Sequence, residues 1–211
     1  MFADTQGQTL IEDIVSGARP FPFSGKNGIL LYGVPGTGKS ALAKLLPDAM
    51  KAVKTGDSAN ANYERIQVGN NGATIIHRLQ SQAVLVPPAS HHYFVLDEVD
   101  NLNAATMPSL KSLMNIPQSI FILTTNDFSA INAAVRNSCH CIAFNAAPSL
   151  KWLPLARRML SDASVNGISD ASLIAVIDTC NGSARDILNA IVEIILQRGR
   201  QPAPQAIQTV V

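Results

Sequence analysis

The sequence is poor in aromatic residues, which fill 5% of its 211 positions, and in charge, which fills 15% against roughly a quarter in an average globular protein. So few aromatics exclude base stacking as a main mode of nucleic-acid binding. Charge of neither sign dominates: 16 Lys and Arg face 15 Asp and Glu, for a formal net charge of +1. A general polycation is therefore excluded, and any contact with DNA must use a local patch or helix N-termini. The three cysteines, Cys139, Cys141 and Cys180, are too few and too odd for a disulfide framework and fit a reducing compartment. Cys139-His140-Cys141 has no second pair at zinc spacing, so it reads as strand rather than metal centre. No run of about 18 apolar residues occurs, so no membrane span is expected. The first residues carry acids instead of a basic stretch, so no secretory signal is expected either, and a cytoplasmic location follows. Disorder is excluded by 47% hydrophobic residues and a mean hydropathy of +0.17.

What is present alternates between short apolar runs and helix-forming stretches. Gly28 to Gly33 (GILLYG) predicts a first strand, followed by a helix from Lys39 to about Leu46 with Pro47 near its end. Glu64–Val68 predicts a second strand, Ala73–Gln80 a short helix, and the apolar run Tyr93–Leu96 a third strand behind two loop histidines, His91 and His92. A helix near Pro108–Met114, a strand at Ser119–Asn126, a short helix at Ile131–Asn137 and a strand at His140–Phe144 follow. Apolar strands separated by helices argue a parallel sheet covered on both faces. Beyond Phe144 only helical periodicity remains, over Leu150–Ser161, Asp170–Thr179 and Ala184–Arg198. The expected organisation is an α/β domain over residues 1–147, a three-helix domain over 148–200, and a frayed tail over 201–211.

The chemistry gathers in four places. Gly33-Val34-Pro35-Gly36-Thr37-Gly38-Lys39-Ser40 matches G-x-x-x-x-G-K-S/T in full, between a buried strand and a helix. Such glycines let backbone N–H groups curl around phosphate, and the helix N-terminus adds partial positive charge. Lys39 is expected to reach the β- and γ-phosphates of ATP and Ser40 to ligate Mg2+, with Ala41 closing the binding segment. Next, an apolar strand ends in Asp97-Glu98. Asp97 suits a metal held through water, and Glu98 suits a general base for the attacking water. Third, Asn126 closes the run Thr124-Thr125-Asn126, where it can orient water beside the γ-phosphate. Last, Arg185 opens the final helix and can touch the nucleotide from the helical domain.

In this order the motifs resemble the AAA+ ATPases over Asn27–Arg198, most closely the clamp-loader group of replication-factor-C-like small subunits and their phage relatives. NNGATIIHRL, FVLDEVDNLNAATMPSLKSLM, FILTTND with AVRNSCHCIAF, and NGSARDILNAI each resemble a clamp-loader segment. The resemblance implies a P-loop NTPase sheet with a small all-helical lid, Asn126 as sensor 1 and Arg185 as sensor 2. It also implies Mg2+ and ATP at interfaces between like or related subunits in a ring or partial ring, remodelling of DNA or a DNA–protein complex, and a sliding clamp or other protein partner. Two departures stand out. The family's trans-acting arginine lies in Ser-Arg-Cys, where this chain has Ser138; Arg136, two residues earlier, is the candidate replacement. Nor does any stretch after Arg198 match the family's collar domain. The alternative is a low-turnover, ATP-dependent assembly or switch subunit whose site a partner chain completes. For DNA, Arg78 and the amides of the Gly69–Gly72 turn are the candidate phosphate contacts.

Overall fold

The computed structural model describes residues 5–55, 59–87 and 90–199, and the expected frayed tail lies outside them. The chain divides into two compact units, Met1–Asn145 and Ala146–Val211. Among the described residues no helix is long and apolar enough to cross a membrane.

The first unit runs α1 (Thr5–Ser16), β1 (Gly28–Tyr32), α2 (Lys39–Thr55), β2 (Asn62–Arg65), α3 (Ala73–Ala83), β3 (His92–Asp97), α4 (Met107–Met114), β4 (Ser119–Thr125), α5 (Ala133–Asn137) and β5 (Cys139–Ala143). The strands form one sheet in the order β2-β3-β4-β1-β5, and every pairing is parallel. Strand side chains alternate between faces, and the two faces carry separate cores. On one, Leu30, Phe94, Leu96, Phe121 and Leu123 pack with Ile76 and Leu79 of α3, Leu110 and Leu113 of α4, and Val135 of α5. On the other, Ile29, Leu31, Val95, Ile120 and Ile122 pack with Ile11 and Ile14 of α1 and with Ala43, Leu46 and Met50 of α2. Strands buried on both faces need unbroken apolar runs, which is why the three inner strands β1, β3 and β4 read as runs, while the edge strands β2 and β5 do not.

Four local features differ from the sequence expectation. Helix α1, for which no element was expected, lays Ile11 and Ile14 on the sheet. Helix α2 does not stop at Pro47 but carries it internally and continues to Thr55. A proline inside a helix costs about 3 kcal/mol, and the buried series Ala43, Leu46 and Met50 offsets it. Strand β2 ends at Arg65, before the expected Val68. Ile66 still donates to Asp97 O at 2.9 Å, and the chain then turns at Gln67–Asn70. His92 opens β3 with a ring nitrogen 2.8 Å from Leu85 O, so it is a strand residue and not a loop residue.

The second unit holds α6 (Ser149–Asp162), α7 (Asp170–Thr179) and α8 (Ala184–Gly199). Trp152, Ala156 and Leu160 of α6, Leu173 and Ile177 of α7, and Ile187 and Ile191 of α8 are buried. Ser169 caps α7 by accepting from Ser172 N at 3.1 Å, and Arg157 pairs with Asp170.

Phe94 and Phe121 stack in the middle of the sheet with ring centroids 5.2 Å apart. Phe121→Ala removes a fully buried ring and leaves a cavity, so urea denaturation should record a loss of about 3–5 kcal/mol in unfolding free energy.

Candidate active site

Parallel strands bring their carboxyl ends to one edge, and register decides which residues meet there. Tyr32 pairs with Thr125 and Leu31 with Thr124, while Leu96 pairs with Leu123. Gly33, Asp97, Thr124 and Asn126 therefore leave the sheet side by side.

The loop leaves β1 against bare backbone. Phe144 N donates to Tyr32 O at 2.7 Å, and a Cβ on Gly33 would collide with the Phe144 carbonyl. Gly33 also sits at φ 140°, outside the range of L side chains, so glycine is required there. Gly36 and Gly38 also take positive φ, 79° and 94°, a form that turns successive amides toward one side. Val34 and Pro35 at the tip are exposed, as is Ala41 in the first turn of α2. Thr37 is buried and donates to Val34 O at 3.1 Å. Lys39 is buried too, and its ammonium donates to Gly33 O at 2.8 Å and Val34 O at 2.7 Å. Burial pushes the Lys39 pKa down, against the raising charges of Asp100, Asp97 and Glu98.

Asp97 is the hub. It is 3% exposed. Its Oδ1 accepts from Ser40 Oγ at 2.6 Å and Thr124 Oγ1 at 2.5 Å, and its Oδ2 accepts from Tyr63 OH at 2.9 Å. Burial acts to raise its pKa, but the hydroxyls of Ser40, Thr124 and Tyr63 with the Arg65 charge outweigh burial and hold the carboxyl below the usual value. Tyr63 responds in the opposite direction: burial and the bond to Asp97 push its phenol up to about 12, so it remains a donor.

Glu98 follows with φ 60° and ψ 49°, left-handed for a residue with a side chain. Such a conformation costs of order 1–3 kcal/mol and persists only where the surroundings over-determine it. Here Glu98 N donates to Thr124 Oγ1 at 3.0 Å. Its carboxylate takes a two-pronged bond from Arg65, Nε to Oε2 at 3.2 Å and a terminal nitrogen to Oε1 at 2.9 Å. Asn101 Nδ2 adds a contact to Oε2 at 3.4 Å.

The remaining candidates divide. Asn126 is exposed just past β4, its backbone N 3.4 Å from Asp100 Oδ1. Arg136 stands on α5 with its guanidinium 4.9 Å from the Phe128 ring centre. Ser138, where the resembled family has its arginine, is buried and donates to Ala134 O at 3.1 Å. Arg185 belongs to the helical unit, exposed in the first turn of α8. Arg78 is paired with Glu64, so its charge is already engaged.

Thr124, Tyr63 and Arg65 take part in the site without having been singled out. Thr124 lay inside a motif read only for its asparagine. Tyr63 and Arg65 carry no motif, and alternation on an edge strand next to the acidic strand was the one available signal.

These groups suit Mg2+ with ATP. Ser40 donates its hydroxyl hydrogen bond to Asp97 and keeps its lone pairs for a cation, and Asp97 stays ionised. A hydroxyl and a carboxylate that holds the ion through water, with phosphate oxygens and further waters completing the shell, suit Mg2+, which keeps several of its waters.

Comparison with known proteins agrees with the fold. Residues 29–145 match the model of the ATPase family associated with various cellular activities (AAA), and the chain belongs to that family. Among individual proteins it is similar to replication factor C small subunit 2 of Pyrobaculum islandicum, 27% identical over 190 residues that cover 86% of this chain and 57% of that protein. Replication factor C subunit 4 of Schizosaccharomyces pombe is 26% identical over 196 residues, 85% of this chain and 56% of the relative. DNA polymerase III subunit gamma/tau of Mycoplasma pneumoniae is 25% identical over 92% of this chain and 31% of its own length. The chain thus spans a little over half of the replication factor C subunits it matches. In fold it resembles the Thermotoga maritima RuvB Holliday junction branch migration motor, with a TM-score of 0.65 at 16% identity over 93% of this chain and 64% of that one.

The depressed Asp97 pKa has a sign. The native carboxyl stays ionised to lower pH than the unfolded one, so its contribution to stability is complete above the unfolded value of about 3.9 and is lost as pH falls through the native value. The stability difference between the wild type and Asp97→Asn, measured by urea denaturation, should therefore be constant near neutrality and shrink below about pH 4. A difference that stays flat through the acid range would contradict this.

Proposed function

We propose that this chain hydrolyses Mg·ATP at an interface between AAA+ subunits and uses the cycle to remodel DNA or a DNA–protein complex, in a clamp-loader-like role in DNA replication. The observation that carries the reading is the convergence on one ionised carboxylate. Ser40 from the phosphate loop and Thr124 from the neighbouring strand both donate to Asp97 Oδ1, with Glu98 fixed beside it through Thr124. The similarity to replication factor C subunits and to DNA polymerase III gamma/tau supports DNA replication as the setting.

In this mechanism bound Mg2+ supplies charge neutralisation on the phosphates. Lys39 exchanges its two loop carbonyls for phosphate oxygens, and the amides at Gly36 and Gly38 cradle them. Glu98 accepts a proton from the attacking water. Before it can do so it must leave Arg65, whose guanidinium occupies both of its oxygens. Asn126 orients the water, and Arg185 reports the phosphate state to the lid. Arg136 serves a neighbouring subunit's site, since Ser138 is buried and has no charge to offer. The same Arg65–Glu98 pair supports the second reading, a low-turnover assembly or switch subunit that waits for a partner chain.

The test is ATP turnover per chain against protein concentration, with and without primer–template DNA, alongside the native mass. Turnover should rise with concentration and with DNA. Glu98→Gln should keep ATP binding and lose about 10²–10⁴ in rate, and Arg136→Ala should lose about 10³–10⁵ in the assembled form only. Flat, negligible turnover with tight ATP binding, raised by Arg65→Met, would favour the switch subunit.

A further inference from the structure

Three hydroxyls reach Asp97, but only one of them reaches Oδ2. Ser40 and Thr124 converge on Oδ1, and among the described residues Tyr63 alone holds the second oxygen. A carboxylate bonded at a single oxygen can still swing, because its terminal torsion is broad and weakly stepped. A donor on the second oxygen removes that freedom and sets which lone pairs face outward.

Tyr63 is itself held. It stands on the edge strand β2, and the Lys44 ammonium lies 4.3 Å from its ring centre. Lys44 is four residues after Ser40 on α2, hence one turn further along the same face. A closed circuit results: Ser40 to Asp97, Asp97 to Tyr63, Tyr63 to Lys44, and Lys44 back through the helix to Ser40. Core packing does not account for an aromatic here, since Tyr63 is 40% exposed. Its polar end is spent on the carboxylate and its ring on a cation.

We propose that Tyr63 is a positioning residue that fixes the rotation of the Asp97 carboxylate, so that the acid presents one oxygen at a set angle to a divalent cation held with ATP. The inference rests on the Mg·ATP reading above and adds to it a residue outside the phosphate loop and the acidic pair. In this role Tyr63 acts through Asp97 and not on the nucleotide itself. Its loss should be felt in the coupling between metal and nucleotide, and not in nucleotide binding as such.

The test uses Tyr63→Phe, which removes the hydroxyl and keeps the ring, and reads the affinity of a fluorescent ATP analogue in chelator and across a Mg2+ titration, with no turnover needed. Tyr63→Phe should require about tenfold more Mg2+ for the half-maximal gain in affinity, the range seen when a group behind a metal ligand is removed. Affinity in chelator should stay within about twofold of wild type, because the phosphate loop is untouched. Lys44→Met, on an exposed side chain, should move the Mg2+ midpoint the same way by a smaller factor. A Mg2+ curve for Tyr63→Phe that superimposes on wild type overturns the positioning role and leaves the hydrolysis reading standing. An equal loss of affinity in chelator also overturns it, since that is the mark of a merely structural part. A wild type whose ATP affinity ignores Mg2+ sinks both readings together.

Discussion

A single buried carboxylate organises the carboxyl edge of this sheet. Asp97 receives hydroxyls from α2, from β4 and from β2, so three elements that are distant in sequence are tied at one point. An unpaired charge at that depth would cost several kcal/mol or be discharged by protonation. The three donors keep it ionised, and in doing so they fix the loop, the middle strand and the edge strand against one another. The same Thr124 that donates to Asp97 accepts the Glu98 amide. The angle between the two acids is therefore set by one threonine of the neighbouring strand.

The second acid is held in a different way. Glu98 bears a left-handed backbone and a fork of hydrogen bonds from Arg65. Its backbone conformation is paid for by the Thr124 contact, while its side chain depends on a four-residue strand that is paired along one edge only. Tyr63 and Arg65, two residues apart, share one face of that strand, each bonded to one acid. Edge strands are the least restrained part of a sheet, having a single neighbour. The state of both acids is therefore open to whatever touches β2, while their backbone positions are not.

Much of this was legible in the sequence because the constraints are local. A phosphate loop requires glycines, a lysine and a hydroxyl at fixed spacing, and doubly buried strands must be continuous apolar runs, so Gly33–Ser40 and the three inner strands could be read directly. Other features were hidden for identifiable reasons. Helix α1 has few hydrophobic residues, and only its packing on α2 and the sheet marks Ile11 and Ile14 as core. Pro47 reads as a stop, yet tertiary burial of the residues around it carries the helix past it. Ser138 stands where the resembled family has an arginine, and only the structure shows that it is turned inward. Tyr63 and Arg65 act through pairing between strands, which spacing along the chain does not encode.

Gly33 and Phe144 meet backbone to backbone. At that point the phosphate loop rests on main chain with no side chain between, and Phe144 N is bonded to Tyr32 O at 2.7 Å. A side-chain contact can absorb a shift by changing rotamer, whereas two stacked backbones transmit it. A displacement at the loop's first glycine therefore passes to the Phe144 main chain, just past β5, with no rotamer to take it up.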